Sequence, residues 1–451
     1  MRSRVLVVAL VVASAAHADP VTKPAPKDAP RKISLEALLA RTDAVAREVS
    51  ALRGLPLKRR IPNEVVDKDQ LRKRLVTMAN EDKTKRETAA EGFALACWGM
   101  VPLRTDYGAM LIEVLTEQIA GYYDTETKKL TISKSAGDDG DWAELVLAHE
   151  IQHGLQDQSF DLEKFEDLPD SEGDALMARR ALVEGDGIAL MIEVMLKRQG
   201  IASPWSNPQV ADSIEKAMSV PGAGDSLDKA PVAIRESLVF PYRKGLTFVA
   251  ALRRRQPWSA VDAAFRKPPR STEQVLHPER YLANDQPVPV AIDPFPSLRG
   301  YSVRHSTVWG ELGFSLYLRS HGIDPATATN ASEGWGGDRA IVLARDGETR
   351  PEKGIAIART EWDSEADAIE AHEATVKAID AAVMGAVIEH SANRTRWLSV
   401  DGLVSLVERK GPSMVIVHGA PLWAADRMQT EVWTATRIAP VSIEKKPTKK
   451  K

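Results

Sequence analysis

Apolar positions recur with helical period through most of the first 300 residues and alternate as in strands only in a few short runs. Leu35, Leu38, Leu39, Val45 and Val49 form one amphipathic stripe, and residues 71–78 and 89–98 repeat the pattern, so 33–115 is expected to be helical. A hairpin is expected next. Residues 119–123 and 130–133 have strand character, and Asp124-Thr125-Glu126-Thr127-Lys128 between them is polar turn material. Asp141 opens a helix with Glu144 as reciprocal capping partner; a second helix starts near Ser171, with Asp174 in the same capping relation, and runs to about residue 198. Pro204 and Pro208 close that region, and helical pattern resumes over 232–265.

The proline-rich stretch 287–296 reads as a domain boundary. Beyond it the pattern predicts a helix at 308–319, strands at 339–344 and 355–360, a long helix over 364–388, and strands at 404–408 and 414–417 separated by Lys410-Gly411-Pro412. No internal repeat is visible. The expected class is α+β: a mainly helical core with a small antiparallel sheet at 111–290, preceded by a helical segment at 33–110 and followed by a smaller α+β domain at 297–441.

A length of 451 residues suits two to three domains, and 43% apolar with 27% charged residues excludes fibrous, disordered and polytopic membrane classes. The formal charge of -3 provides no global basic field for a nucleic-acid backbone. The basic tail at 442–451 reads as a solvated end. At the other terminus, Arg2 and Arg4, an apolar run over 5–12 and Ala16-His17-Ala18 have the three zones of an export signal over 1–18, followed by a proline-rich linker at 19–32. The mature chain is therefore expected in the periplasm or outside the cell, without a transmembrane span. Loss of Arg2 and Arg4 leaves 58 basic against 63 acidic groups, a charge of -5. Cys97 is the only cysteine, so no intramolecular disulfide forms, and its apolar neighbours mark it as a small core residue.

His149-Glu150-Ile151-Gln152-His153 carries the chemistry, because histidines at i and i+4 on a helix project from one face at a spacing that one zinc ion can bridge. At about 100° per residue from Leu145, His149, His153 and Glu150 fall at about 40°, 80° and 140°, opposite an apolar face of Leu147, Ala148, Ile151 and Leu155. By composition, roughly one random chain in forty would contain His-acid-x-x-His, which makes two ordinary helix histidines the weaker account. A catalytic zinc needs a third protein ligand, with a fourth position left to water. A histidine six residues after His153 is excluded, since position 159 is Ser159. Glu184 is favoured: its helical neighbours Met177, Ala181, Ile188, Met191 and Met195 are apolar, and an acid among them needs a cation. Glu172, Asp157 and Asp161 are the alternatives. Asp186 is placed either to orient a ligand imidazole from behind or to face water.

His149-Glu150-x-x-His153 followed by Leu182-Val183-Glu184-Gly185-Asp186 resembles the gluzincin zinc metallopeptidases, and more closely a group of exported bacterial metallopeptidase-like proteins. The likeness extends over most of 110–370 through Ala120-Gly121-Tyr122-Tyr123-Asp124, the run from Pro268 to Pro278, Glu333-Gly334-Trp335-Gly336-Gly337-Asp338-Arg339 and Glu361-Trp362-Asp363. The resemblance implies a zincin-like core and peptide-bond hydrolysis with a protein or peptide substrate. It implies His149, His153 and Glu184 as zinc ligands, Glu150 as general base, and a downstream donor to the oxyanion, for which His277 is the candidate and a loop histidine bonded to backbone the plain alternative. It also implies that strand 130–133 offers its edge to an extended substrate. Gly187 departs from the pattern, where alanine is more usual, and a second glycine there would loosen the helix. The competing class is a noncatalytic envelope protein that keeps zinc as a structural or sensing element. Glu-Gly-Trp-Gly-Gly-Asp-Arg is not a phosphate loop, since it lacks the lysine and precedes a strand; a turn around a buried Trp335 explains it.

Overall fold

A computed structural model describes residues 6–10, 34–134, 140–200, 204–206, 225–254 and 257–438, together with 209, 213 and 216. The linker 19–32, the tail 442–451 and the expected export signal other than 6–10 lie outside the described residues. The protein is α+β, and it divides into two compact units, 1–92 with 104–285, and 93–103 with 286–451.

In the first unit, β1 (Leu6–Leu10) leads to α1 (Leu35–Ala40), α2 (Thr42–Arg53), β2 (Asn63–Val66), α3 (Lys68–Ala79) and α4 (Asp82–Cys97), whose last residues already belong to the second unit. The boundaries follow side-chain chemistry. Ser34 accepts the Ala37 amide at the start of α1, Gly54 ends α2 in the left-handed region at φ +80°, and Asp67 and Gln70 close a reciprocal capping box on α3. Next come α5 (Tyr107–Gln118) and the hairpin β3 (Ile119–Asp124) and β4 (Lys129–Ser133). The Asp124 carboxylate accepts the Glu126 and Thr127 amides to form the turn between them.

The sheet order is β1-β3-β4-β2. β3 runs antiparallel to β4, whereas β2 runs parallel to it, with Asn63 opposite Leu130 and Val66 opposite Ser133. The expected substrate edge at 130–133 is therefore already paired on both sides, because Asn63–Val66 of the N-terminal segment fills it. β-Augmentation at those residues is overturned. The pattern did not show β2, since four residues between helices are too few for a period.

α6 (Gly140–Phe160) and α8 (Gly173–Arg198), separated by the short α7 (Leu162–Phe165), follow the hairpin. α6 lies on β3 and β4 and packs against α8, and α2 packs against both helices. After α9 (Asp225–Lys229), α10 (Val232–Arg253) crosses α8 at a point without side chains. A Cβ on Gly185 would come within 2.1 Å of the Gly245 carbonyl oxygen, and one on Gly245 within 2.0 Å of the Ala181 carbonyl oxygen. The unit closes with α11 (Ser259–Arg266), α12 (Thr272–Leu276) and α13 (Pro278–Ala283). Asp174, expected to pair with a capping Ser171, follows an N-cap that falls at Glu172 instead. The Asp174 carboxylate accepts the amide and hydroxyl of Thr272, so the start of α8 is tied to α12, a partner 98 residues away.

The second unit is built on a seven-stranded antiparallel sheet of order β6-β7-β8-β12-β11-β10-β9: β6 (Tyr301–Thr307), β7 (Trp335–Arg345), β8 (Ile355–Trp362), β9 (Gly385–Ser391), β10 (Arg394–Ser399), β11 (Leu403–Lys410) and β12 (Ser413–Pro421). β5 (Val290–Ile292) and β13 (Thr436–Ile438) form a separate pair. Four helices complete it: α14 (Gly310–Ser320), α15 (Pro325–Asn330), α16 (Glu365–Ala382) and α17 (Leu422–Ala435). One core joins Ile341, Leu343, Ile355, Ile357, Val415 and Val417 of the sheet to Ala424, Met428 and Val432 of α17. The helix expected over 364–388 stops at Ala382, where Val383 turns extended and the chain continues as β9. Cys97 is partly buried, its thiol donates to the Pro351 carbonyl, and burial pushes its pKa up to about 12.

The glycine-rich run starts β7 and is structural. Trp335 is fully buried, and the Asp338 carboxylate accepts the Trp335 indole N–H and the amides of Trp309 and Gly310, capping α14. Gly337 lets Val288 approach to where a Cβ would stand 2.1 Å from its carbonyl oxygen.

Candidate metal centre

α6 presents His149 and His153 one turn apart, and α8 carries Glu184 to meet them. The Nε2 atoms of His149 and His153 are 2.9 Å apart, and Glu184 Oε2 lies 3.2 Å from the first and 3.4 Å from the second. All three residues are buried, and among the described residues they are the group whose ligand atoms could hold a metal ion. Glu172, Asp157 and Asp161 are elsewhere. Glu172 is at the N-cap of α8, Asp157 accepts Tyr123 and Lys128, and Asp161 caps α7.

Two observations test whether a cation fits. Nitrogen and oxygen ligands at about 2.0–2.1 Å from a tetrahedral ion stand about 3.3 Å from one another, close to the separations seen. Protonation agrees. Gln156 donates its amide N–H groups to Asp186 Oδ2 at 2.8 Å and to the Val183 carbonyl at 3.0 Å, which leaves its Oε1 facing His153 Nδ1 at 2.9 Å. Nδ1 must then carry the proton, and the Nε2 lone pair points at the cluster.

Electrostatics follow the same geometry. Burial raises the pKa of Glu184, but the two imidazoles outweigh it and hold the carboxyl near 2. Burial opposes charge on His153 as well, yet Glu184 and Glu150 prevail and lift it to about 9; His149 is lowered, by burial and by His153.

Glu150, next in chain to His149, is fully buried beneath β3, where a Cβ on Gly121 would come within 3.0 Å of its Cγ. Gly187 has a similar reason. A Cβ there would stand 2.7 Å from His149 Cε1, so the second glycine makes room for the His149 ring. Asp186 is fully buried and reaches His153 through Gln156 rather than directly, while also accepting Gln152 Nε2 at 2.7 Å and Arg53 Nε at 2.7 Å. His277 is not part of the cluster. It sits between α12 and α13, partly exposed, with Nδ1 3.8 Å from Glu279.

Sequence reasoning missed Arg53, Gln152, Gln156 and Tyr242. Tyr242, on α10, is buried with its ring centroid 6.4 Å from that of His149 in a near-parallel arrangement. The two glutamines were legible in principle, since they share the polar face of α6 with the histidines. Arg53 and Tyr242 come from helices whose proximity no local pattern announces.

No helix among the described residues is long and apolar enough to cross a membrane. A family described as Domain of unknown function (DUF8575) matches residues 299–429, within the second unit and outside the metal centre. No curated protein and no solved structure matches the chain.

Proposed function

We propose that the protein is an exported zinc-dependent peptidase whose first unit is a zincin-like catalytic core. The observation that carries this is the convergence of two Nε2 atoms and one carboxylate oxygen within 3.4 Å, with Glu150 adjacent in sequence. His149, His153 and Glu184 would hold zinc, which when bound supplies Lewis acidity to water and to a substrate carbonyl. Glu150 accepts the water proton at its carboxylate and returns it to the leaving amine. Glu184 contributes negative charge to the ligand set, and Gln156 keeps His153 in the ligating tautomer. His277 remains the candidate oxyanion donor. A protein or peptide substrate suits this chemistry, and the near-neutral charge suits no nucleic-acid partner.

A noncatalytic zinc protein is the second reading, and the complete burial of Glu150 favours it. Metal analysis joined to digestion of a peptide library separates the two. Glu150→Gln should keep stoichiometric zinc and lose cleavage by about a hundredfold or more, the usual contribution of a positioned base. Cleavage equal to that of wild type would eliminate Glu150 as the base.

A further inference from the structure

The least expected residue in the first unit is Arg53, at the last position of α2. Its side chain is wholly inaccessible, with Nε 2.7 Å from Asp186 and Nη1 2.8 Å from Asp262, and its guanidinium lies 4.5 Å from the ring centroid of Trp258. Burying an arginine is costly unless acids meet it, and two acids and an aromatic face do so here. Asp186 is the junction. One oxygen takes Arg53 and the other takes the amides of Gln152 and Gln156, and Gln156 holds His153 Nδ1.

We propose that Arg53 is a positioning residue of the metal centre, acting on His153 through Asp186 and Gln156, and that α2 is thereby a permanent part of that centre. This rests on the zinc reading above. Without the guanidinium, Asp186 would be a buried carboxylate held at one oxygen only, by two neutral amides. With it, the carboxylate is held at both oxygens, by Arg53 on one and by the two glutamine amides on the other, so the Gln156 amide keeps one orientation. The N-terminal segment is then no detachable pro-segment, since its release would withdraw the cation that holds the relay.

Zinc dissociation constants, measured by chelator competition on full-length protein, together with melting of the metal-free form, test the relay. Gln156→Leu removes the contact to His153 and should weaken zinc about tenfold to a hundredfold, the usual range for partners behind a ligand. Arg53→Lys keeps the charge but loses the fixed Nε–H contact to Asp186, and should weaken zinc by about tenfold. The double variant should be no weaker than Gln156→Leu alone, because both changes act on one path. Asp262→Asn should lower the melting temperature and leave zinc affinity unchanged.

Wild-type zinc affinity in folded Arg53→Lys, or losses that add in the double variant, would overturn the relay and leave Arg53 a packing residue. Should Arg53→Lys fail to fold, unchanged affinity in Gln156→Leu would overturn it equally. Failure of the wild-type protein to bind zinc would instead refute the functional reading.

Discussion

Both units bury acids and histidines, and they use them differently. In the second unit Asp338 is saturated by three N–H donors of its own chain, and His418 meets the Tyr317 hydroxyl at 2.8 Å with Ser405 at 3.4 Å. In the first unit His149, His153 and Glu184 turn their ligand atoms toward one another, while the nitrogen behind His153 is met by Gln156 and, through it, by Asp186. A buried polar cluster whose members complete one another is architecture. One whose members leave several lone pairs aimed at a common point, with backing residues that fix that aim, is a site for something else.

The largest expected effect of breaking this contrast is at the ligands. Glu184→Ala or His153→Ala should reduce zinc affinity by more than about a hundredfold, exceeding any loss from a residue behind a ligand. Stoichiometric zinc retained by Glu184→Ala in a metal-content assay would move the third ligand elsewhere. Next in size is the helix crossing that delivers Glu184. Gly245→Ala puts a Cβ 2.0 Å from the Ala181 carbonyl oxygen, a backbone atom that cannot step aside. The expected cost is about 3 kcal/mol in denaturant unfolding, with weaker zinc as well because α8 must shift. A stability within error of wild type would show that the helices separate freely there.

Asp338→Ala is the counterpart in the second unit. It strands two backbone amides and an indole N–H, and should cost about 2 kcal/mol of stability. Zinc affinity should stay at the wild-type value, since nothing in the ligand cluster depends on that cap. Loss of zinc in this variant would erase the distinction between the two kinds of buried acid.

What was legible in the sequence divides along the same line. His149 and His153 are readable because both lie on one helix, where a period of 3.6 relates position to direction, and Glu184 because it interrupts an apolar stripe. The hairpin at 119–133 is readable from its turn residues. Asp174 was read as a capping partner because it lies three residues after Ser171, and its partner Thr272, 98 residues away, leaves no local trace. The strand Asn63–Val66 and the role of Arg53 were illegible for a related reason: each is defined by what it lies against in three dimensions. The end of α16 is a milder case. Val387 and Ile388 continue an apolar pattern, but Gly385 and the β-branched residues after it favour a strand, and pattern alone did not decide between the two.

At neutral pH the smallest expected effect is that of the second unit's histidines, which enters only on acidification. His418 is lowered to about 3, by burial and then by His321, and His372 to about 4, by burial and then by Arg409 and His390. Both are neutral in the folded protein and titrate near 6.5 when unfolded, so above that pH they contribute no pH dependence. As pH falls below about 6.5 the unfolded chain binds protons that the folded unit refuses, and stability declines until His372 and then His418 protonate in place. Melting of the metal-free protein should therefore fall progressively from pH 6.5 toward 4, and the ring contact between Trp98 and His418 at 5.5 Å makes tryptophan fluorescence a suitable probe of this unit. His418→Gln keeps an acceptor for Tyr317 and should flatten that decline, more so when combined with His372→Gln. An acid limb of undiminished slope in the double variant would assign the effect to carboxylates, and the histidines of the second unit would then be pH-silent packing.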